Sequence, residues 1–270
     1  MRTVVPMQPA ADAPSSETQG RDVGRHLPVP PAPIDQRMLI EEILVVLSLS
    51  VLRPAAFAIL SLIEAPIAGV VVAAADQSSE VTRQLLGIAF ALAPVLLVVH
   101  LVRRSGEGVE VIGLSVDRPA QDLARGAVLF AVVGLAGIGV YLGAVELGVN
   151  RFVVPTPPLG HWWTIPALVL GAIESGLLEE IVVLGYLVTR LRQLSWSPAL
   201  AIVASALLRG SYHLYQGWGG FVGNFAMGLL FGFLFLRWGR RTWPFVVAHA
   251  LLDIGAGVGF ILFRDRLPGF

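Results

Sequence analysis

Apolar runs of about twenty residues recur along this chain, and that is the length a helix needs to cross the hydrocarbon of a bilayer. No other feature limits the fold as much. The runs predict an all-α, polytopic transmembrane helical bundle of about seven spans, with lipid around most residues. Charge content agrees, because 14% of the 270 residues are charged where a soluble domain carries about 25%. A mean hydropathy of +0.74 points the same way. The net charge is zero, which speaks against a nucleic-acid partner. There is no Cys, so disulfides, thiol nucleophiles and thiolate metal sites are excluded.

Residues 1–36 are rich in Pro, Ala and polar side chains, with PVPPAP at 28–33, and read as a disordered cytoplasmic tail. They lack the apolar core of a signal peptide. Residues 37–160 read as N-terminal membrane helices. A first span covers 36–63, with a kink expected at Arg53-Pro54. The apolar piece 66–75 is too short to cross and is expected at the interface. A second span covers 81–103. The polar stretch that follows contains VEVIGL, 109–114, which reads as a short strand-like piece on the membrane surface. A Gly-rich third span, 123–147, suits close helix contact.

Residues 161–264 are expected to carry the chemistry. The fourth span, 162–194, is long and contains Glu179 and Glu180 side by side. Ser197-Pro198 starts the fifth span, which carries Arg209 and His213. After the turn QGWGG, the sixth span presents Gly228 and Gly232 as a close-contact face. Thr242-Trp243-Pro244 opens the seventh, which carries His249 and Asp253. With the N-terminus in the cytoplasm, inside loops hold Arg103, Arg104, Arg118, Arg125, Arg190, Arg192, Arg237, Arg240 and Arg241. Outside loops hold Arg83 and Arg151, and the tail adds Arg264 and Arg266. That asymmetry predicts a multi-pass protein of the plasma membrane with a cytoplasmic start.

Each ionisable group at membrane depth costs about 2.5–3.5 kcal/mol even on lenient insertion scales, so two adjacent glutamates must be solvated or paired. Neighbours on a helix point about 100° apart, so one Glu can face a cavity while the other faces a neighbouring helix. A carboxylate poised there can take a proton from water as a general base. The plain alternative is a buried pair that only pins helices. Arg209 and His213 are four apart and share a helix face. Arg209 needs a partner, for which Glu180 is the candidate; His213 can share a water with Glu179. Taken alone, His213 reads rather as a satisfied interfacial histidine. His249 and Asp253 are also four apart, so Asp253 is expected to fix the His249 tautomer. That pair can donate to a developing oxyanion, or simply form a structural hydrogen bond. Three segments with such pairs suggest one wet cavity, and hydrolysis as its chemistry.

Glu179, His213 and His249 alternatively make a zinc ligand set, though no H-E-x-x-H is present. A G-x-S-x-G elbow, a P-loop and a dinucleotide-binding G-x-G-x-x-G are also missing. The order E-E-x-x-x-x-G, then x-x-x-H, then H-x-x-x-D over about 160–257 resembles the CPBP family. These are the CAAX-protease and bacteriocin-processing membrane peptidases, also called Abi. The family pattern is E-E-x-x-x-R, F-x-x-x-H and H-x-x-x-N/D. The resemblance implies that Glu179 activates water with help from His213, that Glu180 supports, and that His249 and Asp253 stabilise the oxyanion. It implies a CPBP-type catalytic core over 161–264 that needs no cofactor. Leu184 stands where the family has Arg, and Arg209 stands where it has Phe. Arg209 is expected to resupply the missing guanidinium from the neighbouring helix, facing Glu180.

The expected function is an intramembrane endopeptidase of the glutamic type acting on membrane-associated peptides or proteins. Its partners are then the lipid bilayer and that substrate. The alternative is a non-catalytic CPBP-like membrane protein, such as a pseudoenzyme, chaperone-like partner or immunity factor, which the loss of the family Arg favours. A proton-coupled transporter is a third reading, weakened by the lack of an internal repeat.

Overall fold

A computed structural model describes residues 35–52, 54, 55, 58, 59, 80–148 and 161–263. The expected tail before residue 35, the interfacial piece 66–75 and the Arg residues at 151, 264 and 266 lie outside them. The protein is all-α, with no strand among the described residues. Among the described residues its helices are α1 (Gln36–Leu47), α2 (Glu80–Ala91), α3 (Ala93–Arg104), α4 (Pro119–Glu146), α5 (Thr164–Glu179), α6 (Leu187–Gln193), α7 (Pro198–Tyr212), α8 (Trp218–Arg237) and α9 (Trp243–Phe263). Two π-helical segments, Ser48–Leu52 and Glu180–Tyr186, and two short 3₁₀ turns, Val109–Ile112 and Leu214–Gln216, complete them.

Local chemistry sets the helix starts. Asp35 caps α1 by accepting from the Arg37 amide at 2.9 Å, so helix begins at Gln36, inside the expected tail. Ser197 caps α7 by accepting from the Leu200 amide at 3.2 Å, with Pro198 in the first turn. Among the described residues, four helical stretches are long and apolar enough to cross a bilayer: Leu85–Arg104, Pro119–Val140, Trp218–Arg237 and Trp243–Leu262. α9 packs against α4 and α5, while α7 packs along α8.

The α7–α8 contact uses the Gly-x-x-x-Gly face. A Cβ on Gly228 would stand 2.9 Å from the Ala206 Cα, and one on Gly232 would stand 2.8 Å from Ile202 Cγ2. Backbone cannot yield as a side-chain tip can. Gly228→Leu should therefore overpack this contact and cost about 1–3 kcal/mol, seen as a lower melting temperature in detergent. A variant that melts with the parent would show that α7 and α8 can separate freely.

The polar link between α3 and α4 folds differently from the strand-like pattern of VEVIGL. Residues Val109–Ile112 form one 3₁₀ turn, closed by Gly113 at φ 85° in the left-handed region. The reason is tertiary. The Thr242 hydroxyl donates to the Ile112 carbonyl at 2.7 Å, and the Thr242 amide donates to the Gly113 carbonyl at 2.9 Å. The Thr189 hydroxyl donates to the Val111 carbonyl at 3.3 Å. Carbonyls that a partner strand would have used are already taken.

The same link is held by two arginines. Arg241 donates to both carboxylate oxygens of Asp122, at 2.7 and 2.6 Å, and to Asp117 at 2.7 Å. Buried Arg190 pairs with Glu107, which also accepts from Gln193 Nε2 at 2.5 Å. Burial alone would push the Glu107 carboxyl up, but hydrogen bonds from Arg190, Ser105 and Gln193 outweigh it and hold the group below its ordinary 4.5. A carboxylate held low in the folded state stabilises that state above the unfolded value, and the contribution fades as pH falls. Glu107→Gln should thus melt below the wild type near neutral pH, and the gap should close as pH drops through 4.5. Melting curves at a series of pH values check this; a gap that ignores pH would discard the ion pair as its source.

Candidate active site

The chain runs unbroken from α5 through the π segment into α6. Glu179 closes the α-helical part and Glu180 opens the π part. The wider i→i+5 winding is frequent at functional positions. It carries the two adjacent carboxylates to different neighbours.

Glu180 is fully buried. Its Oε1 accepts from Arg209 Nη2 at 2.5 Å and lies 2.7 Å from His249 Nδ1. One carboxylate oxygen thereby ties the π segment to α7 and α9 together. Arg209 also lies over the Phe231 ring, 5.7 Å from its centroid. Glu179 sits on the more open side. Its Oε2 accepts from the Tyr212 hydroxyl at 2.7 Å, lies 3.6 Å from His213 Nε2 and 3.9 Å from Arg209 Nη1. The last two are too long for hydrogen bonds but short enough for a charge to be felt.

Asp253 Oδ2 is 3.6 Å from His249 Nε2. The hydrogen-bonding partner of His249 is therefore Glu180, through Nδ1, and not the Asp one turn along its own helix. Same-helix spacing suggested Asp253; a cross-helix contact is invisible to spacing. All five acid and imidazole groups expected at the site, together with Arg209, meet here. Arg209 contacts Glu180 directly and Glu179 at longer range, so its guanidinium is within reach of both glutamates. Leu184 points into the apolar core instead.

Glu179, His213 and His249 do not form a zinc cradle. Among the described residues, no three His, Cys, Asp or Glu side chains are grouped as a metal ion needs.

One site residue went unread in the sequence. Tyr212 is three residues after Arg209 and next to His213, and its hydroxyl needs a partner at this depth. That requirement was the available signal. Several polar atoms at the site have no protein partner: Glu180 Oε2, Arg209 Nη1 and both His213 ring nitrogens. Buried donors and acceptors left over in this way are groups suited to a polar guest.

Residues 161–255 match the family model described as type II CAAX prenyl endopeptidase Rce1-like. The chain carries an Rce1-like domain. Such a domain is what a CPBP-family intramembrane peptidase would have. No curated protein and no solved structure matches the chain. The Rce1-like domain starts just ahead of α5 and ends two residues past Asp253, so it takes in every site residue named above. It leaves out α1 to α4. Together with the four apolar helices, it makes this an integral membrane protein with a domain of the CAAX-protease type.

Proposed function

We propose that the chain is an intramembrane endopeptidase that hydrolyses peptide bonds of membrane-associated peptides or proteins, with water activated by Glu179. One observation carries the reading. Two carboxylates, two imidazoles and a guanidinium from three separate helical segments converge inside an apolar bundle. Desolvating that many ionisable groups is costly, and packing alone does not require it.

Water lies beside Glu179 and His213, within hydrogen-bonding reach of both. Glu179 takes one proton from it as the new C–O bond forms at the scissile carbonyl. The developing oxyanion faces His249, which donates to it while Glu180 holds the opposite ring nitrogen and Asp253 lies alongside. Collapse of the tetrahedral species breaks the C–N bond. The proton held by Glu179 passes to the leaving amine. Arg209 holds Glu180 in place, and so stands in for the guanidinium absent at Leu184. Tyr212 fixes which way the Glu179 carboxylate turns. The orientation we favour is plasma membrane with the N-terminus in the cytoplasm, on the strength of the Arg distribution.

Purified protein in detergent should cleave a membrane-associated peptide, with the same rate when a chelator is present. No cleavage of any such peptide would favour the non-catalytic alternative, and loss of cleavage with chelator would favour the metal. Tyr212→Phe should lower kcat about two- to tenfold with little change in KM, because it removes one neutral hydrogen bond worth about 0.5–1.5 kcal/mol from the general base. An unchanged kcat would remove Tyr212 from the proposal.

A further inference from the structure

Hydrogen bonding fixes only one corner of the Arg209 guanidinium. Its Nη2 donates to Glu180 Oε1 at 2.5 Å, while Nη1 has no hydrogen-bond partner. A bidentate fork on a carboxylate sets the plane of a guanidinium; a single bond leaves rotation about itself. Nη1 lies 3.9 Å from Glu179 Oε2, so a small turn would bring it within hydrogen-bonding range of the second carboxylate. A charge-assisted bond there would occupy the group that has to accept a proton from water.

Helix α8 supplies the restraint that hydrogen bonds leave out. Gly228 and Phe231 are three residues apart and share one face of it. A Cβ on Gly228 would stand 3.3 Å from Arg209 Cδ, so the missing side chain makes room for the arginine stem. One turn along, the central carbon of the guanidinium lies 5.7 Å from the centroid of the Phe231 ring. The face of an aromatic ring attracts a cation, most strongly away from water, and both side chains are buried.

The ring is itself braced. Phe231 meets Phe245 of α9 with centroids 5.0 Å apart, and Phe245 stacks on Trp238 at 5.6 Å and 20°. Arg125 of α4 lies over the far end of this column, 4.9 Å from the Trp238 ring centre. Phe231 and Phe245 are fully buried, so neither ring can step aside without opening a void.

We propose that Phe231 is a positioning residue that decides which glutamate Arg209 serves: its ring holds the guanidinium on Glu180 and off Glu179. Glu179 is thereby left free to act as the base. The role in cleavage rests on the peptidase reading; the contact between ring and guanidinium does not.

Phenylalanine analogues with one, two or three ring fluorines, placed at position 231 of the full chain, test both. They keep the shape of the ring and progressively withdraw the negative charge of its face. Each added fluorine should lower kcat, by up to about thirtyfold at three, with KM unchanged. The same analogues at Phe235, a buried ring that packs on Phe245, should leave kcat as it is. A kcat that ignores fluorination at 231, or equal losses at 231 and 235, overturns the proposal. A rise in KM with kcat held would place Phe231 in substrate binding and overturn it as well. Melting curves read the contact without activity. The trifluoro analogue at 231 should lower the melting temperature of the parent but not of Arg209→Leu/Glu180→Gln, where no guanidinium faces the ring. Equal shifts in the two backgrounds would reduce the ring to packing and overturn the contact. Protein that cleaves no peptide ends the peptidase reading and the role in cleavage with it, while the melts still decide the contact.

Discussion

Replacing Glu179 with Gln lowers the rate of peptide cleavage by about 10²–10⁴-fold, the range over which a positioned general base contributes. The substitution keeps the shape of the side chain and an oxygen able to accept from Tyr212, which now donates at 2.7 Å. It removes the capacity to take a proton from water. Folding should survive, because Glu180 and not Glu179 holds the inter-helix ion pair with Arg209. Single-turnover cleavage of a membrane peptide, alongside a melting curve, separates the two effects. A Glu179→Gln protein as active as the parent would mean that some other group activates water. A biological phenotype that persists in this variant would support a non-catalytic role.

Arg209→Leu produces the largest loss of stability, about 3–5 kcal/mol, because it leaves the fully buried Glu180 without its cation. His249 alone then faces the carboxylate at 2.7 Å. Adding Glu180→Gln to that variant should return much of the loss, since an uncharged pair needs no counter-ion. The double variant will still be inactive if Glu180 has to hold His249 for the oxyanion. Thermal melts of the two single variants and the double variant give the coupling directly. An Arg209→Leu protein that melts with the parent would show that the Glu180–Arg209 pair does not hold the bundle together.

Membrane helices and the polar groups inside them were legible for a common reason. Glu179, Glu180, Arg209, His213, His249 and Asp253 stand out because the residues around them suit hydrocarbon. Gly228 and Gly232 were legible because their spacing places both on one helix face. The π winding of Glu180–Tyr186 was not. Its residues E-I-V-V-L-G-Y would serve equally in an α-helix, and only the hydrogen bonds differ. VEVIGL alternates as a strand does, yet Thr242, more than a hundred residues away, decides its shape. Tyr212 passed for an apolar residue beside a more conspicuous histidine. His249 was matched to Asp253 because spacing exposes neighbours on one helix and hides Glu180 on another.

The clasp around residues 105–118 bears on how far the Rce1-like stretch can stand alone. A Cβ on Gly185 would stand 2.6 Å from the Ile112 carbonyl oxygen, so the backbone of the front half presses directly against the π segment. An excised fragment starting at residue 161 would retain every acid and imidazole of the site. It would lose the acids that neutralise Arg190 and Arg241, and would expose a glycine surface shaped to receive another part of the chain. Homology ends at a boundary where folding does not. A chimera that grafts this stretch onto foreign helices will need to import the 105–118 clasp as well.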